Sequence, residues 1–178
     1  MVAAAVCVAG AVVFAACSSG PAATAPSTTT TVAPASTAVA DPVEDTQAVL
    51  DSYRGMWADL VTAARTSDYN SPLLARHTSG DALTLFVQGL ARDQLHGIVT
   101  KGEPVLLDPK VTSLSPVADP THATVSDCVD DSKWVEFTPS GKRVKNPAGG
   151  RRLTTARLSR VSGTWKTTEL AVGAVASC

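Results

Sequence analysis

The chain is 178 residues long and has a formal net charge of −1. All 15 basic residues and 15 of the 16 acidic residues follow Pro42, so the charged part of the chain is formally neutral. This balance argues against a protein that binds nucleic acid through a high positive charge, and we expect no nucleic-acid partner. The length indicates one domain with additional segments.

The first 16 residues have the features of an export signal. Val2 to Ala16 form an unbroken apolar run, which is shorter than the ~20 residues that a membrane-spanning helix needs. Its length is typical of the apolar region of a signal peptide. No Lys or Arg precedes the run, so we expect the true start of the protein to lie upstream of Met1.

The apolar run ends in a short motif that surrounds a cysteine. Residues 13–20 read VFAACSSG, with two small residues directly before Cys17. This segment resembles a bacterial lipobox, although Phe14 stands where Leu is usual. The resemblance implies cleavage before Cys17, a lipid on its thiol, and a location outside the cell, anchored to the outer face of the membrane. The alternative is an ordinary secretory signal with an incidental cysteine.

The number of cysteines agrees with this interpretation. The four cysteines are Cys7, Cys17, Cys128 and Cys178. Cys7 leaves with the signal peptide, and a lipid on Cys17 leaves two thiols, which can pair completely in an oxidising compartment. We therefore predict a structural disulfide between Cys128 and Cys178. A redox-active pair is the weaker alternative, because the sequence has no Cys-x-x-Cys motif.

Residues 17–42 form a second segment of distinct composition. They are rich in Ser, Thr, Pro, Ala and Val, with almost no charge and no apolar periodicity. Such a segment buries too little apolar surface to offset its conformational entropy, so we predict a disordered tether between membrane and domain. The folded domain is then predicted to span residues 43–178.

The first half of this domain has helical periodicity. Apolar residues recur at steps of three and four from Val49 to Ala64, which predicts a helix that follows an N-cap at Asp45 or Thr46 and ends near Thr66. A second long helix is predicted from Ser79 to Gly97. Its apolar side is expected to contain Leu83, Phe86, Val87, Leu90 and Leu95.

The second half alternates in the manner of strands separated by Gly, Pro and Asp turns. Extended segments are predicted near residues 98–100, 104–107, 111–117, 122–129, 134–137, 153–161 and 165–172. Helices followed by an antiparallel meander predict an α+β fold, with the N-terminal helices packed in the concave face of a curved sheet.

Several short motifs agree with this plan, and together they resemble the nuclear transport factor 2-like superfamily. The resemblance covers residues 43–178 and implies a cone-shaped α+β domain with an interior cavity. The motifs are Tyr53 with Trp57, Asp127-Cys128 with Trp134, residues 149–152 (GGRR), residues 163–166 (GTWK), and the terminal Cys178.

The resemblance also implies where a site would lie. Enzymes of this superfamily place an Asp or a His against an apolar pocket inside the cone, which raises the pKa of a carboxyl group. The candidate pocket residues here are Tyr53, Trp57, His77, Phe86 and Asp127, although core packing is an alternative role for Tyr53 and Trp57. The sequence has no catalytic signature and no metal-binding motif, and we expect no cofactor.

Three functions remain open at this point. The leading hypothesis is a cell-envelope lipoprotein that binds a small hydrophobic ligand or an envelope protein without catalysis. The second is a small-molecule isomerase, hydratase or cyclase that uses the cavity, and the third is a structural accessory of an envelope assembly. A deep cavity with an unpaired carboxylate would favour the enzyme. A cavity filled by Tyr53, Trp57 and Phe86 would favour the accessory, and an open, uncharged cavity would favour ligand binding.

Overall fold

The computed structural model describes residues 42–145 and 149–178. The predicted signal peptide, the predicted lipid site at Cys17 and, apart from Pro42, the predicted tether lie outside the described residues. Within the described part of the chain, no helix is both long enough and apolar enough to cross a membrane.

Helix α1 spans Pro42–Ala64 and begins earlier than the sequence predicted. The prediction of an N-cap at Asp45 or Thr46 is therefore wrong. Proline suits a first helical turn because its ring fixes φ and the N–H that it lacks would have no partner there. Asp45 lies inside that turn, where it is buried and forms an ion pair with Arg160. Its carboxylate therefore joins the start of α1 to the sheet.

Two further helices follow, α2 at Leu74–His77 and α3 at Gly80–Leu95. Gly97 has a φ of +66°, a conformation that glycine adopts easily and that ends many helices. The second predicted helix is confirmed, but the placement of Leu95 on its apolar side is wrong. Leu95 is 82 % exposed, because it lies in the last turn, beyond the buried part of α3 that ends at Asp93.

Seven strands form two antiparallel sheets within the described residues. The strands are β1 Val99–Lys101, β2 Val105–Leu106, β3 Lys110–Ser115, β4 His122–Asp130, β5 Val135–Phe137, β6 Arg151–Val161 and β7 Thr164–Val172. Strand β4 lies inside the larger sheet. On one side it pairs with β2 and β3, and on the other side it pairs with β6, which is followed by β7. The smaller sheet is a ribbon of β1 and β5.

The predicted continuous meander is wrong at β5, which leaves the larger sheet. Strand β4 pairs directly with β6, and Asp131 stabilises this arrangement. Its carboxylate accepts hydrogen bonds from the backbone N–H of Gly150 at 2.6 Å and from Nε of Arg152 at 2.9 Å. The chain therefore turns away after Asp130, and β5 reaches β1 instead.

The last hairpin agrees with the sequence prediction. Ser162 and Gly163 join β6 to β7 with φ values of +50° and +81°. Two successive positive φ values are typical of the tight hairpin turn whose twist matches that of the strands.

The hydrophobic core lies between α1, α3 and the concave face of the larger sheet. Along β4 every second residue is buried, as period-two alternation requires. The helical face that the spacing predicted, from Val49 to Ala64, is buried against it. The predicted α+β fold, with helices in the concavity of a curved antiparallel sheet, is confirmed. The buried sheet residues of this core are Ala123, Val125, Val129, Ala156, Leu158 and Trp165.

The C-terminal segment folds back over the start of β6. The Sγ atoms of Cys128 and Cys178 lie 2.12 Å apart, at disulfide distance, as the sequence predicts. Ser177 Oγ accepts a hydrogen bond from the N–H of Leu153, and the N–H of Ala176 donates to the carbonyl of Arg151. The bridge and these hydrogen bonds hold the last residues against the sheet.

Candidate functional site

Two of the predicted pocket residues form a hydrogen-bonded pair inside the core. The hydroxyl of Tyr53 on α1 donates to Oδ2 of Asp127 on β4 at 3.2 Å. The backbone N–H of Asp108 donates to the other carboxylate oxygen at 2.9 Å. Both side chains are buried. The carboxylate therefore has a donor on each oxygen, and it is not the unpaired carboxylate that an enzyme would need.

Tyr53 is held in its neutral form. Burial raises the pKa of its hydroxyl, the neighbouring Trp57 side chain lowers the pKa, and the negative charge of Asp127 raises it again. A tyrosine with an ordinary pKa of about 10 is already protonated at neutral pH. Burial, the largest of these effects, raises the pKa of Tyr53 further, so its hydroxyl stays a donor in alkaline solution as well. The pair is a structural contact between α1 and β4.

A row of three aromatic rings leads from this pair toward the surface. The rings of Tyr53 and Trp57 meet edge to face, with centroids 6.5 Å apart and an angle of 86° between planes. Trp57 and Trp134 meet in the same manner, at 6.0 Å and 82°. The two perpendicular indoles form a corner in which the edge of one ring meets the face of the other.

This indole corner borders an open apolar cavity, here called the indole pocket. It lies between α1, α3, the β1–β5 ribbon and the end of β7, and its volume is about 240 Å³. Leu85 and Val172 line it with exposed fractions of 50 % and 49 %, so apolar side chains also reach solvent there. The other large apolar residues that line it are Trp57, Leu60, Phe86, Leu90, Trp134 and Leu170.

Space for the pocket comes partly from a glycine within α3. Gly89 lines the pocket, and a Cβ placed on it would meet no atom within 4 Å. Glycine inside a helix is less favourable than alanine by about 0.5–1 kcal/mol. A side chain at this position would enter unoccupied space, so the glycine keeps the cavity open.

Polar groups are few in this pocket. Its lining contains two carboxylates, Asp93 and Glu136, and one hydroxyl, Thr100. Asp93 is buried, and its Oδ1 accepts hydrogen bonds from Nε and Nη2 of Arg92 at 3.1 and 2.9 Å. The cavity is therefore mainly apolar, with acidic groups in part of its wall.

The structure separates the five predicted pocket residues. Trp57 and Phe86 line the indole pocket, whereas Tyr53 and Asp127 pair in the core next to it. His77 lies elsewhere, because its Nδ1 is 2.7 Å from Oδ2 of Asp59 and its ring packs against Gly55. In residues 42–145 and 149–178, no three His, Cys, Asp or Glu side chains form a group suited to a metal ion.

Sequence reasoning did not place Leu90, Asp93, Trp134 and Glu136 in the pocket. Phe86, Leu90 and Asp93 follow one another at steps of four and three along α3, so helical spacing could have grouped them. Trp134 and Glu136 have no such signal, because the β1–β5 ribbon that brings them to α1 depends on a pairing between distant segments.

Comparison with solved structures gives the fold. A candidate aromatic ring hydroxylase from Novosphingobium aromaticivorans superposes with a TM-score of 0.51 at 13 % identity, covering 75 % of this chain and 91 % of that one. This likeness agrees with the predicted cone, in which helices pack in the concave face of a curved antiparallel sheet. The identity is too low to carry more than the fold.

Two further structures are more distant. The intermembrane space region of the chloroplast protein ARC6 gives a TM-score of 0.48 at 19 % identity, with 73 % of this chain and 97 % of that chain covered. The association domain of C. elegans CaMKII gives 0.41 at 12 % identity, with 74 % and 99 % covered. No protein-family model and no curated protein sequence matches the chain.

Proposed function

We propose that this protein is a cell-envelope lipoprotein whose cone-shaped domain binds a small apolar molecule without catalysis. The observation that carries the proposal is the indole pocket, an open apolar cavity of about 240 Å³ bordered by Trp57 and Trp134. Tyr53, Trp57 and Phe86 are buried in the core, yet this space stays open beside them.

The size of the pocket limits the ligand. Pockets for drug-sized ligands usually have volumes of about 300–1,000 Å³, and a dry apolar cavity of about 150 Å³ is large enough for benzene. A cavity of 240 Å³ therefore suits a compact molecule of one or two fused rings, or a branched aliphatic of similar volume. The indole faces offer stacking and edge-to-face contacts to such a ring.

The alternative of an isomerase, hydratase or cyclase receives less support from the side chains. Asp127 does not line the pocket and accepts hydrogen bonds on both oxygens. Asp93 is bonded to Arg92. Among the described residues, no Lys, Arg or His lines the pocket to polarise a substrate. General acid–base catalysis needs a base and a polarising donor around the substrate, and this lining offers carboxylates without a basic side chain opposite them.

The proposed location rests on the sequence before the domain and on the cysteines within it. The lipobox-like segment implies a lipid on Cys17. The disulfide distance between Cys128 and Cys178 agrees with an oxidising compartment outside the cytoplasm. The predicted tether that follows Cys17 would then hold the domain away from the membrane surface.

Ligand binding is tested by calorimetric titration of the full chain with naphthylmethanol, a neutral two-ring probe. If the purified chain carries a lipid, the chain is kept in lipid nanodiscs throughout the titration. Gly89→Leu places a side chain in the indole pocket and should weaken binding at least tenfold, about 1.4 kcal/mol. Its control is Gln88→Leu, which places the same leucine at the adjacent, exposed position of α3 outside the pocket.

The two variants also correct for partition of the probe into lipid, because both are measured in identical nanodiscs. Binding that is lost in Gly89→Leu and kept in Gln88→Leu supports the proposal. Equal binding by both variants, or no binding by the unmodified chain, contradicts it.

A further inference from the structure

The lining of the indole pocket has more acidic than basic groups. Among the described residues it contains the carboxylates of Asp93 and Glu136 and no basic side chain, although Arg92 bonds Asp93 from outside the cavity. In a mainly apolar cavity, charges act on a ligand over short distances with less screening than in water. An anionic ligand would therefore meet repulsion in this pocket, whereas a cationic ligand would be attracted.

The nearby arginine lies on the solvent side of this arrangement. Arg92 is bonded to Asp93, yet its side chain is 66 % exposed, and it does not line the pocket. The hydrogen bond and the charge of Asp93 raise the pKa of the guanidinium most strongly, and the charge of Glu136 raises it further. The guanidinium of Arg92 therefore offsets part of the negative charge of this wall, from outside the cavity.

The aromatic walls add a second attraction for positive charge. Trp57 and Trp134 both line the pocket, and their rings meet edge to face with centroids 6.0 Å apart, so indole surface makes up part of its wall. A cation over the face of a tryptophan is attracted by the ring quadrupole, and tryptophan is the best of the aromatic residues for this contact.

We propose that the ligand of the indole pocket is an apolar amine or quaternary ammonium compound. This inference rests on the function proposed above and adds the charge of the ligand to it. The apolar part packs against Phe86 and Leu90, and the ammonium group faces the indole corner and the acidic part of the wall. Recognition combines burial of apolar surface, cation–π contact and attraction by Asp93 and Glu136.

Three probes of nearly equal shape test this charge preference in the full chain. Naphthylmethylammonium, naphthylmethanol and naphthoate share the same ring and differ in charge. By calorimetry we expect the ammonium compound to bind about tenfold more tightly than the alcohol, and naphthoate at least about tenfold more weakly than the alcohol.

A variant pair assigns the preference to the pocket. Glu136→Gln should reduce the ammonium-to-alcohol affinity ratio to about threefold or less. Glu169→Gln is the matched control, because Glu169 is exposed on β7, pairs with Arg157 and lies outside the pocket. It should keep the full ratio.

The outcomes separate this inference from the function on which it rests. Equal affinities for the ammonium compound and the alcohol, or tighter binding of naphthoate, would overturn the cationic ligand and leave the apolar pocket supported. Failure of all three probes to bind would overturn both. A ratio that falls equally in Glu136→Gln and Glu169→Gln would place the charge effect outside the pocket and would also contradict the inference.

Discussion

The hydroxyl of Tyr53 and the carboxylate of Asp127, 74 residues apart in the sequence, form a buried hydrogen bond that joins α1 to β4. Tyr53→Phe leaves Oδ2 of Asp127 without this donor, so we expect a loss of about 1–3 kcal/mol in the free energy of unfolding. A cycle with Asp127→Asn should give a coupling energy of about 1 kcal/mol in urea unfolding. Tyr69→Phe, the other tyrosine of the chain, is the control and should change stability by less than about 0.5 kcal/mol. Additive effects of Tyr53→Phe and Asp127→Asn would contradict the pair.

The same tyrosine predicts a dependence of stability on alkaline pH. Burial raises the pKa of Tyr53 in the folded chain above its value in the unfolded chain. Below the unfolded pKa, about 10, both states hold the proton and the stabilisation is complete. As pH rises beyond that value, the unfolded state loses its proton first. The free energy of unfolding should then fall by up to about 1.4 kcal/mol per pH unit more than in Tyr53→Phe. Parallel pH profiles for the two proteins would show that Tyr53 is not perturbed.

The disulfide predicts a large dependence of stability on reductant. Cys128 and Cys178 are separated by 50 residues, and closing a loop of this size is worth about 4 kcal/mol in the chain-entropy model. Cys178→Ser, or reduction of the unmodified chain, should lower the free energy of unfolding by about 2–5 kcal/mol. Reductant should leave Cys178→Ser itself unchanged. An unmodified chain whose stability does not respond to reductant would show that the bridge is absent.

Anchoring is tested by the intact mass of the protein purified from its native membrane. We expect a mature chain that begins at Cys17 and carries acyl mass, and that gains the mass of one pair of hydrogens on reduction. Cys17→Ser should abolish the acyl mass and release the protein from the membrane fraction. An uncleaved or lipid-free chain with free thiols would remove the basis for an envelope location.

Local signals in the sequence were enough for much of the fold. The spacing from Val49 to Ala64 predicted the buried face of α1, and the alternation over residues 122–129 predicted strand β4. Both patterns follow from the geometry of a single element. The start of α1 was predicted too late, because the buried ion pair of Asp45 with Arg160 depends on a distant strand.

The site was harder to predict from the sequence, because the walls of a cavity come from segments that are distant from one another in the chain. The pattern around Trp134 predicted a strand, but it could not show that β5 leaves the main sheet to pair with β1. His77 was grouped with Tyr53 and Trp57 as a polar candidate, whereas the packing of α2 on α1 pairs it with Asp59. Gly89 has no sequence signal beyond being a glycine within a helix, and its effect is visible only as empty space.

The most direct test of the ligand-binding pocket is a two-dimensional NMR titration that follows the three indole N–H signals of the chain. Trp57 and Trp134 border the indole pocket, whereas Trp165 lies outside it, in the core beneath Arg160. The signals are assigned with single Trp→Phe variants, and naphthylmethanol is then added to the unmodified chain. We predict that the signals of Trp57 and Trp134 shift together and saturate while that of Trp165 stays in place. If the signals of Trp57 and Trp134 do not move at the highest concentration of the probe, or if only the signal of Trp165 shifts, the account is contradicted.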